Sequence, residues 1–167
     1  MNGKFTIRRF LPADAGEVQN IIHRGLREIN GKDHPAKRIE EYCEYFTVEK
    51  IRNQAENAHM YVAVSDSGKL VGTGTIAPFW GSETESILLT IYVLPDLIGR
   101  GIGTAVIRAL EKDEYALRAK RIEIPSSITA VNFYRKMGYG FKDGGKPDEE
   151  GLIRMEKFRK TPLSDRL

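Results

Sequence analysis

Cysteine is nearly missing from this sequence, since Cys43 is the only one among 167 residues. A single cysteine excludes an internal disulfide, which rules out small disulfide-held secreted scaffolds and favours a reducing compartment. Long apolar runs are also missing, because no stretch approaches the roughly 20 residues of a membrane helix. Residues 1–6 lack the apolar core of a signal peptide. These absences predict a cytoplasmic protein with no membrane partner.

A large excess of one sign of charge is also missing. The 26 Lys and Arg nearly balance the 23 Asp and Glu, and the formal net charge is +3. Proteins that bind nucleic acid carry massed basic patches, so nucleic acid is not indicated as a partner. The histidines show no metal-ligand spacing and Cys43 lies in no nucleophile motif, so we expect neither a metal site nor a cysteine nucleophile. The three histidines are His23, His34 and His59.

The length favours one domain, residues 1–167, with a core at about 4–158 and a modestly basic tail at 159–167. Alternating apolar residues predict strands, and apolar residues at helical spacing predict helices. The predicted strands are 5–10, 59–64, 69–76, 87–94, 121–124, 138–141 and 152–158. The predicted helices are 13–29, 39–46, 48–58, 102–117 and 126–137. The strand, helix and strand over 87–124 predict two parallel strands joined by a crossover.

Glycine is concentrated just after the strand at 87–94. Pro95 ends that strand, and Gly99, Gly101 and Gly103 follow in the turn where a helix begins. Glycine lets the backbone come close to a bulky group, and the free N–H groups at a helix start attract anions. The pattern therefore predicts a phosphate cradle at the carboxyl end of a parallel strand, where such sheets bind ligands.

Two familiar phosphate motifs do not fit this turn. A Walker A loop needs Lys followed by Ser or Thr after its last glycine, but Thr104 and Ala105 follow Gly103. A dinucleotide fingerprint needs a third glycine where Thr104 stands, and the following chain is too short for a second nucleotide-binding half. Glu123 would be its ribose ligand, so a nucleotide-binding oxidoreductase is a distant alternative. A turn that merely links strand to helix is the structural alternative.

Residues 98–103 resemble the acetyl-coenzyme A loop of the GCN5-related N-acetyltransferase (GNAT) family, whose pattern is Gln/Arg-x-x-Gly-x-Gly/Ala. Ile98 stands where the family has Gln or Arg. The resemblance implies that backbone N–H groups hold the pyrophosphate of acetyl-CoA here, with Arg100 adding positive charge. The implied coenzyme contacts in this region are Tyr92, Val93, Ile98, Gly99, Arg100, Gly101, Ile102, Gly103 and Thr104.

Residues 126–139 resemble the family's second signature, Asn-x-x-Ala-x-x-Phe-Tyr-x-Lys-x-Gly-Phe/Tyr, on a helix predicted to be capped by Ser and ended by Gly138. Ser127 replaces the family's Asn, and the implied coenzyme contacts are Ser127, Asn132 and Tyr134. The resemblance also implies that Tyr134 is the general acid. A phenol, with an ordinary pKa of about 10, is protonated at neutral pH and suits a departing thiolate. A packed aromatic on a buried helix face is the structural alternative for this residue.

A base for the attacking amine is a separate requirement. Strand alternation predicts one face for Glu85, Ile87, Leu89 and Val93. The family often uses a nearby strand carboxylate, but Ile87 stands at the position that matches it most closely. Glu85, two residues earlier, is therefore the candidate base, with a plain surface carboxylate as the alternative. The backbone N–H near Val93 would hold the thioester oxygen as charge develops on it.

Two further features leave alternatives open. Gly72 and Gly74 weaken their strand unless another backbone or a ligand passes close by. Phe79 and Trp80 form an aromatic loop that is either a lid over core or a wall of the substrate pocket. The polar loop at 142–151 is expected to close over the acceptor site.

Together the two signatures imply an α/β (α+β) fold of the GNAT type, in one domain. They imply a mixed, mostly antiparallel sheet of six to seven strands with helices on both faces. The implied activity is transfer of an acetyl group from acetyl-CoA to a primary amine of a small molecule or peptide, by direct attack. A non-catalytic acyl-CoA-binding or sensing module of the same fold is the alternative. Dimers are common in the family, so a homodimer is a further expectation.

Overall fold

The computed structural model describes residues 3–159, so residues 160–167 of the predicted tail lie outside the described range. The strands are β1 Phe5–Arg9, β2 His59–Ser65, β3 Leu70–Pro78, β4 Glu85–Val93, β5 Arg121–Ser126, β6 Gly140–Phe141 and β7 Ile153–Phe158. The helices are α1 Ala15–Glu28, α2 Ala36–Tyr45, α3 Val48–Asn57, α4 Ile102–Glu111, α5 Glu114–Leu117 and α6 Val131–Lys136.

The strands form one mixed sheet of seven strands within the described range, in the order β1-β2-β3-β4-β5-β7-β6. β1 pairs antiparallel with β2, while β5 pairs antiparallel with β7 and β7 with β6. β4 and β5 pair in parallel over Glu85–Ile87 and Arg121–Glu123. The parallel crossover predicted for 87–124 and the predicted fold class are confirmed.

The chain divides into two compact units, and the first is Met1–Thr75 with Thr90–Leu110. Its core includes the apolar side of α1, where Val18, Ile21 and Ile22 are at most 1% exposed. Their spacing is that of an amphipathic helix packed on a sheet. The structure confirms this predicted helix but starts it at Ala15, because Pro12–Asp14 forms a separate 3-10 turn.

Asp14 anchors the entry to α1. Its carboxylate accepts hydrogen bonds from the Arg8 guanidinium at 2.8 and 3.0 Å and from the Leu11 amide at 2.7 Å. The hydrogen bonds from Arg8 are the main cause that holds the pKa of Asp14 below its ordinary value. This pair therefore ties the end of β1 to the start of the helix.

Helix α4 lies unusually close to β3 in this unit. A Cβ added at Gly72 would lie 2.9 Å from Ile102 Cγ2, and one at Gly74 would lie 2.6 Å from Val106 Cγ1 and 3.0 Å from Leu110 Cδ1. These separations are shorter than ordinary van der Waals contact, so a side chain at either glycine would push the helix away. An added Cβ at Gly72 would also lie 3.4 Å from the Tyr92 carbonyl oxygen, so a neighbouring backbone passes close to Gly72, as one of the two alternatives predicts. The neighbours of Gly74 are side chains, mainly those of α4.

The second compact unit is Ile76–Leu89 with Glu111–Leu167, of which residues up to 159 are described. Its core includes Leu88 of β4, Ile122 and Ile124 of β5 and Met155 of β7, each at most 1% exposed. The side chains of Ile122 and Ile124 alternate with those of charged neighbours along β5, as expected for a strand with two different faces.

The single helix predicted from Ile102 to Leu117 is wrong. Helix α4 ends at Glu111, and α5 starts at Glu114 with Asp113 as its N-cap. The Asp113 carboxylate accepts a hydrogen bond from the Tyr115 amide at 2.9 Å, which fixes the new helix start. Leu117 is 52% exposed, so its apparent place in the apolar stripe was a coincidence of spacing.

No helix in the range 3–159 combines the length and apolarity that crossing a membrane requires.

Replacing Gly74 by Ala tests the close approach of α4 to β3. The added methyl group has no room beside Val106 and Leu110, so we expect the free energy of unfolding to fall by about 1–3 kcal/mol. Chemical denaturation followed by circular dichroism measures it. Gly16→Ala is the control, because Gly16 lies on α1 with nothing within 4 Å of an added Cβ. Equal stability of Gly74→Ala and wild type would contradict the packing.

Candidate active site

The glycine-rich turn that follows β4 has an open, left-handed backbone. Gly99 and Gly101 both have φ of +85°, a conformation that side chains other than glycine adopt only with strain. A Cβ added at either residue would meet nothing within 4 Å. The glycines are therefore required by backbone geometry and leave open space on the outer side of the turn.

The start of α4 supplies hydrogen-bond donors to that space. The first bond of the helix runs from the Ala105 amide to the Gly101 carbonyl at 3.0 Å. The amides of Ile102, Gly103 and Thr104 precede this bond and so are the orphan donors of the first helical turn. With the positive end of the helix dipole, they favour a bound anion.

Positive side chains lie beside the turn. Arg100, which is exposed, and Lys4 line a shallow pocket of about 140 Å³ together with Leu97 and Ile102. Ile98, which replaces the Gln or Arg of the resembled motif, is 54% exposed and makes the turn more apolar at that point. Arg100 and Lys4 are thus cations that can add charge to the main-chain donors.

β4 is not a regular strand. Thr90 has φ of +49°, the left-handed region, where a β-branched residue is a true outlier that costs about 1–3 kcal/mol. Strict alternation stops at this residue, so the prediction that alternation carries from Glu85 to Val93 does not hold. The sequence does not predict this bend, because threonine is typical of regular strands.

Beyond the bend, the Tyr92 side chain packs against α1. A Cβ added at Gly25 would lie 2.5 Å from Tyr92 Cδ1, so Gly25 provides the space for this ring. Burial raises the pKa of the Tyr92 phenol above its ordinary value. Tyr92 therefore packs its ring inside the first unit, and a coenzyme contact from this residue would use its main chain.

Tyr134 lies on α6 of the second unit and is 6% exposed. Its ring is T-shaped to Tyr139, with centroids 6.4 Å apart, and tilted against Phe133 at 5.2 Å. The Tyr134 carbonyl accepts hydrogen bonds from the amides of Met137 and Tyr139, which close the end of the helix. Both roles considered for Tyr134, packed aromatic and proton donor, are compatible with this environment.

Tyr139 offers a contrast in the same motif. It is 2% exposed, and its hydroxyl oxygen has no hydrogen-bond partner within residues 3–159. Burial raises the pKa of this phenol above its ordinary value. The ring of Tyr139 is therefore needed for packing, whereas its hydroxyl contributes no hydrogen bond to the described part of the chain.

The predicted serine cap of α6 is wrong in detail. Ser127 occupies the cap position of a 3-10 turn, Ile128–Ala130, that precedes the helix, but its side chain caps no amide. Its hydroxyl lies 3.2 Å from the Thr129 hydroxyl instead. Asn132, predicted to contact coenzyme, is exposed on α6.

Glu85 lies at the edge of a charged cluster on β5 and β7. Its carboxylate is 3.5 Å from the Arg121 guanidinium, and its side chain is 37% exposed. Arg121 also binds Glu123 directly and Glu156 at 2.7 Å. The Glu85 carboxylate is therefore oriented by an ion pair while about a third of it stays open to solvent.

Glu123, the candidate ribose ligand of the dinucleotide alternative, is the centre of this cluster. It is 2% exposed and is bound by Arg121, by Lys142 at 2.8 Å and by Arg154 at 3.4 Å. Burial raises the pKa of Glu123, but the hydrogen bonds from Lys142 and Arg121 outweigh it and leave the pKa below its ordinary value. Internal ion pairs thus occupy the Glu123 carboxylate, which leaves it unsuited to bind a ribose.

The two aromatic rings of the loop after β3 have different environments. Phe79 makes cation–π contacts, with Arg121 Cζ 5.2 Å and Lys142 Nζ 5.6 Å from its ring centroid. Trp80 is 92% exposed and has φ of +48°. Phe79 therefore fits the lid alternative, as a cover for the charged cluster, whereas the Trp80 ring projects into solvent.

The fold and the turn define a class of protein, an α/β protein with a glycine-rich turn that leads from a parallel strand into a helix. Within that class, the family model for the acetyltransferase (GNAT) family matches residues 22–139, more than half of the chain. The chain therefore belongs to the GNAT acetyltransferase family.

A curated relative is the uncharacterized protein YdhI of Bacillus subtilis (strain 168), 32% identical over 84 residues. That match covers 48% of this chain and 49% of the relative, so the chain matches about half of its length.

Solved structures share the fold. The PaiA N-acetyltransferase of Thermoplasma acidophilum, in complex with coenzyme A, has a TM-score of 0.79 at 19% identity, and the match covers 93% of this chain and 99% of that one. A GCN5-related N-acetyltransferase of Rhodopseudomonas palustris has a TM-score of 0.74 at 23% identity, over 92% and 95%. At these identities the likeness concerns the fold.

Proposed function

We propose that this chain transfers an acetyl group from acetyl-CoA to a primary amine. The observation that carries the proposal is the turn at 98–104, where two left-handed glycines open onto free space at the start of a helix. Family membership supports an acyl-CoA as the donor, and the structure of similar fold from Thermoplasma acidophilum is a coenzyme A complex.

In the proposed complex, the pyrophosphate of acetyl-CoA accepts hydrogen bonds from the amides of Ile102, Gly103 and Thr104. Gly99 and Gly101 let the phosphate oxygens approach the backbone without meeting a side chain. Arg100 adds a positive charge, while Ile98 contributes only its main chain. Binding by main-chain donors explains how the site tolerates the loss of the motif's first polar residue.

The proposed chemistry is direct attack. A base takes a proton from the ammonium form of the amine. The neutral nitrogen then forms a bond to the thioester carbonyl carbon, the carbon–sulfur bond breaks, and the nitrogen releases its remaining surplus proton to solvent. The Tyr134 hydroxyl gives a proton to the departing sulfur, and the main-chain N–H near Val93 donates to the carbonyl oxygen while that oxygen carries negative charge. Tyr134 is later reprotonated from solvent.

Glu85 is the proposed base, acting directly or through a water molecule. The proposal is supported by its partial exposure and by the ion pair with Arg121, which fixes the direction of the carboxylate. The identity of the amine, a cytoplasmic location and a homodimer remain predictions of the sequence and its family.

Gly101→Ala tests the cradle, with Gly68→Ala as its matched control. Both glycines have nearly equal left-handed φ, +85° and +83°, and an added Cβ meets nothing within 4 Å at either. Both variants therefore carry similar backbone strain. Only Gly101→Ala places a methyl group in the proposed phosphate site, and we expect calorimetry to show at least about tenfold weaker acetyl-CoA binding. Equal loss in both variants, or no binding by wild type, would contradict the cradle.

Tyr134→Phe tests the general acid, with Tyr139→Phe as its control in the same motif. Loss of a proton donor should lower kcat about 100-fold and change the KM for acetyl-CoA less than about twofold. Tyr139→Phe should keep wild-type kcat, because its hydroxyl has no partner within residues 3–159. Thiol release over a panel of amines is the assay. If Tyr134→Phe unfolds or keeps the wild-type kcat, the role of Tyr134 is packing. If the wild-type protein binds acetyl-CoA but releases no thiol with any amine, the protein is a sensor rather than an enzyme.

Glu85→Gln tests the base. Without it, only amine that is already neutral reacts, so the rate at pH 7 should fall at least about 100-fold and climb with pH toward the pKa of the amine. Glu83→Gln, an exposed carboxylate two residues earlier, is the control. If the rate of Glu85→Gln depends on pH in the same way as the wild-type rate, Glu85 is not the base.

A further inference from the structure

Three polar side chains in the first unit meet at the strained residue of β4. The Thr75 hydroxyl lies 2.7 Å from the Thr90 hydroxyl, and the Gln54 carboxamide oxygen lies 3.1 Å from Thr90 Oγ1 and 3.5 Å from Thr75 Oγ1. Thr75 is 0% exposed and Gln54 is half-buried. The cluster joins three separate elements, β3, β4 and α3.

The donors in this cluster can be counted. Two hydroxyl protons serve three short contacts, and the Gln54 oxygen only accepts. The arrangement that uses the shortest distances is a chain in which Thr75 donates to Thr90 and Thr90 donates to Gln54. Thr90 thus has both its donor and one acceptor position occupied, so its side chain is held from two sides.

The residue that these hydrogen bonds hold, Thr90, is also the residue whose backbone is strained. A β-branched residue at φ of +49° is unfavourable, and glycine or asparagine would be the local choice. Strained backbone persists only where its surroundings over-determine it, and it is concentrated at functional sites. The hydroxyl that only Ser or Thr provides here is the group that Thr75 and Gln54 bind.

The bend sets the direction of the strand beyond it. Thr90 precedes Val93 by three residues, and the strand continues until the Leu94 amide donates to the Val71 carbonyl at 3.0 Å. Rotation at Thr90 would turn the amides of residues 91–93 away from their present directions. A donor that stabilises developing charge must keep its geometry, and a misplacement of about 1 Å can cost about 100-fold in rate.

We propose that Thr75 and Gln54 are positioning residues for acyl transfer, which hold Thr90 in its strained conformation and so aim the main-chain donors at the end of β4. The inference rests on the proposed function for its kinetic consequence, but the conformational consequence can be measured without substrate. Neither residue lies in the two motif stretches that resemble the family.

The central variant is Thr75→Val, which keeps the shape of the side chain and removes its hydroxyl. Thr73→Val is the matched control, because Thr73 lies on the same strand, is also 0% exposed and donates its hydroxyl to the Tyr61 carbonyl at 3.2 Å, away from Thr90. Thr75→Ser restores the hydroxyl. Gln54→Met, on the half-buried face of α3, removes the carboxamide oxygen that accepts from Thr90. It replaces Thr75→Val as the test variant if Thr75→Val does not fold.

The first measurement is amide hydrogen exchange at residues 91–94 in the ligand-free protein. We expect exchange about tenfold faster in Thr75→Val and Gln54→Met than in Thr73→Val, with wild-type exchange in Thr75→Ser. Equal exchange in the Thr75→Val and Thr73→Val variants would overturn the inference. This measurement needs no acceptor, so its result holds even if no amine is found.

The second measurement separates kcat from KM. Thr75→Val should lower kcat about tenfold or more while the KM for acetyl-CoA changes less than about twofold, and Thr75→Ser should recover kcat. Faster exchange with an unchanged kcat would overturn the positioning role. Absence of thiol release from wild type with every amine would instead be a failure of the proposed function.

Discussion

The close contact between α4 and β3 is the constraint on which the proposed coenzyme site depends. Gly72 and Gly74 remove the side chains that would otherwise keep Ile102, Val106 and Leu110 at a normal distance from the strand. The helix start, with its unpaired amides, is therefore held directly against the sheet. A helix moved outward by even one methyl group would carry the glycine-rich turn with it.

Much of the architecture could be predicted because the signals are local. Alternation and helical spacing identify the strands and most helices, and Pro95 with the glycines after it identifies the turn. The failures have local causes too. Leu117 continues an apolar spacing although Asp113 starts a new helix before it, and Ser127 has a capping residue type without a capping contact.

Features that depend on distant partners could not be predicted. Thr90 is typical of a regular strand, and its bend is apparent only from its backbone torsion and from the hydroxyl and carboxamide that bind it. Glu123 has the spacing of a ribose ligand, but Lys142 and Arg154, 19 and 31 residues further on, occupy its carboxylate. Tertiary partners, not residue type, decide the role of both side chains.

The most direct test of the proposed coenzyme site follows backbone amide signals in an NMR titration with coenzyme A. The predicted result is large, saturable shifts at the amides of residues 99–104, with those of the hairpin around Gly68 unchanged. Saturable binding that leaves the amides of 99–104 unmoved, or no binding at millimolar ligand, would contradict the claim that this turn holds a pyrophosphate.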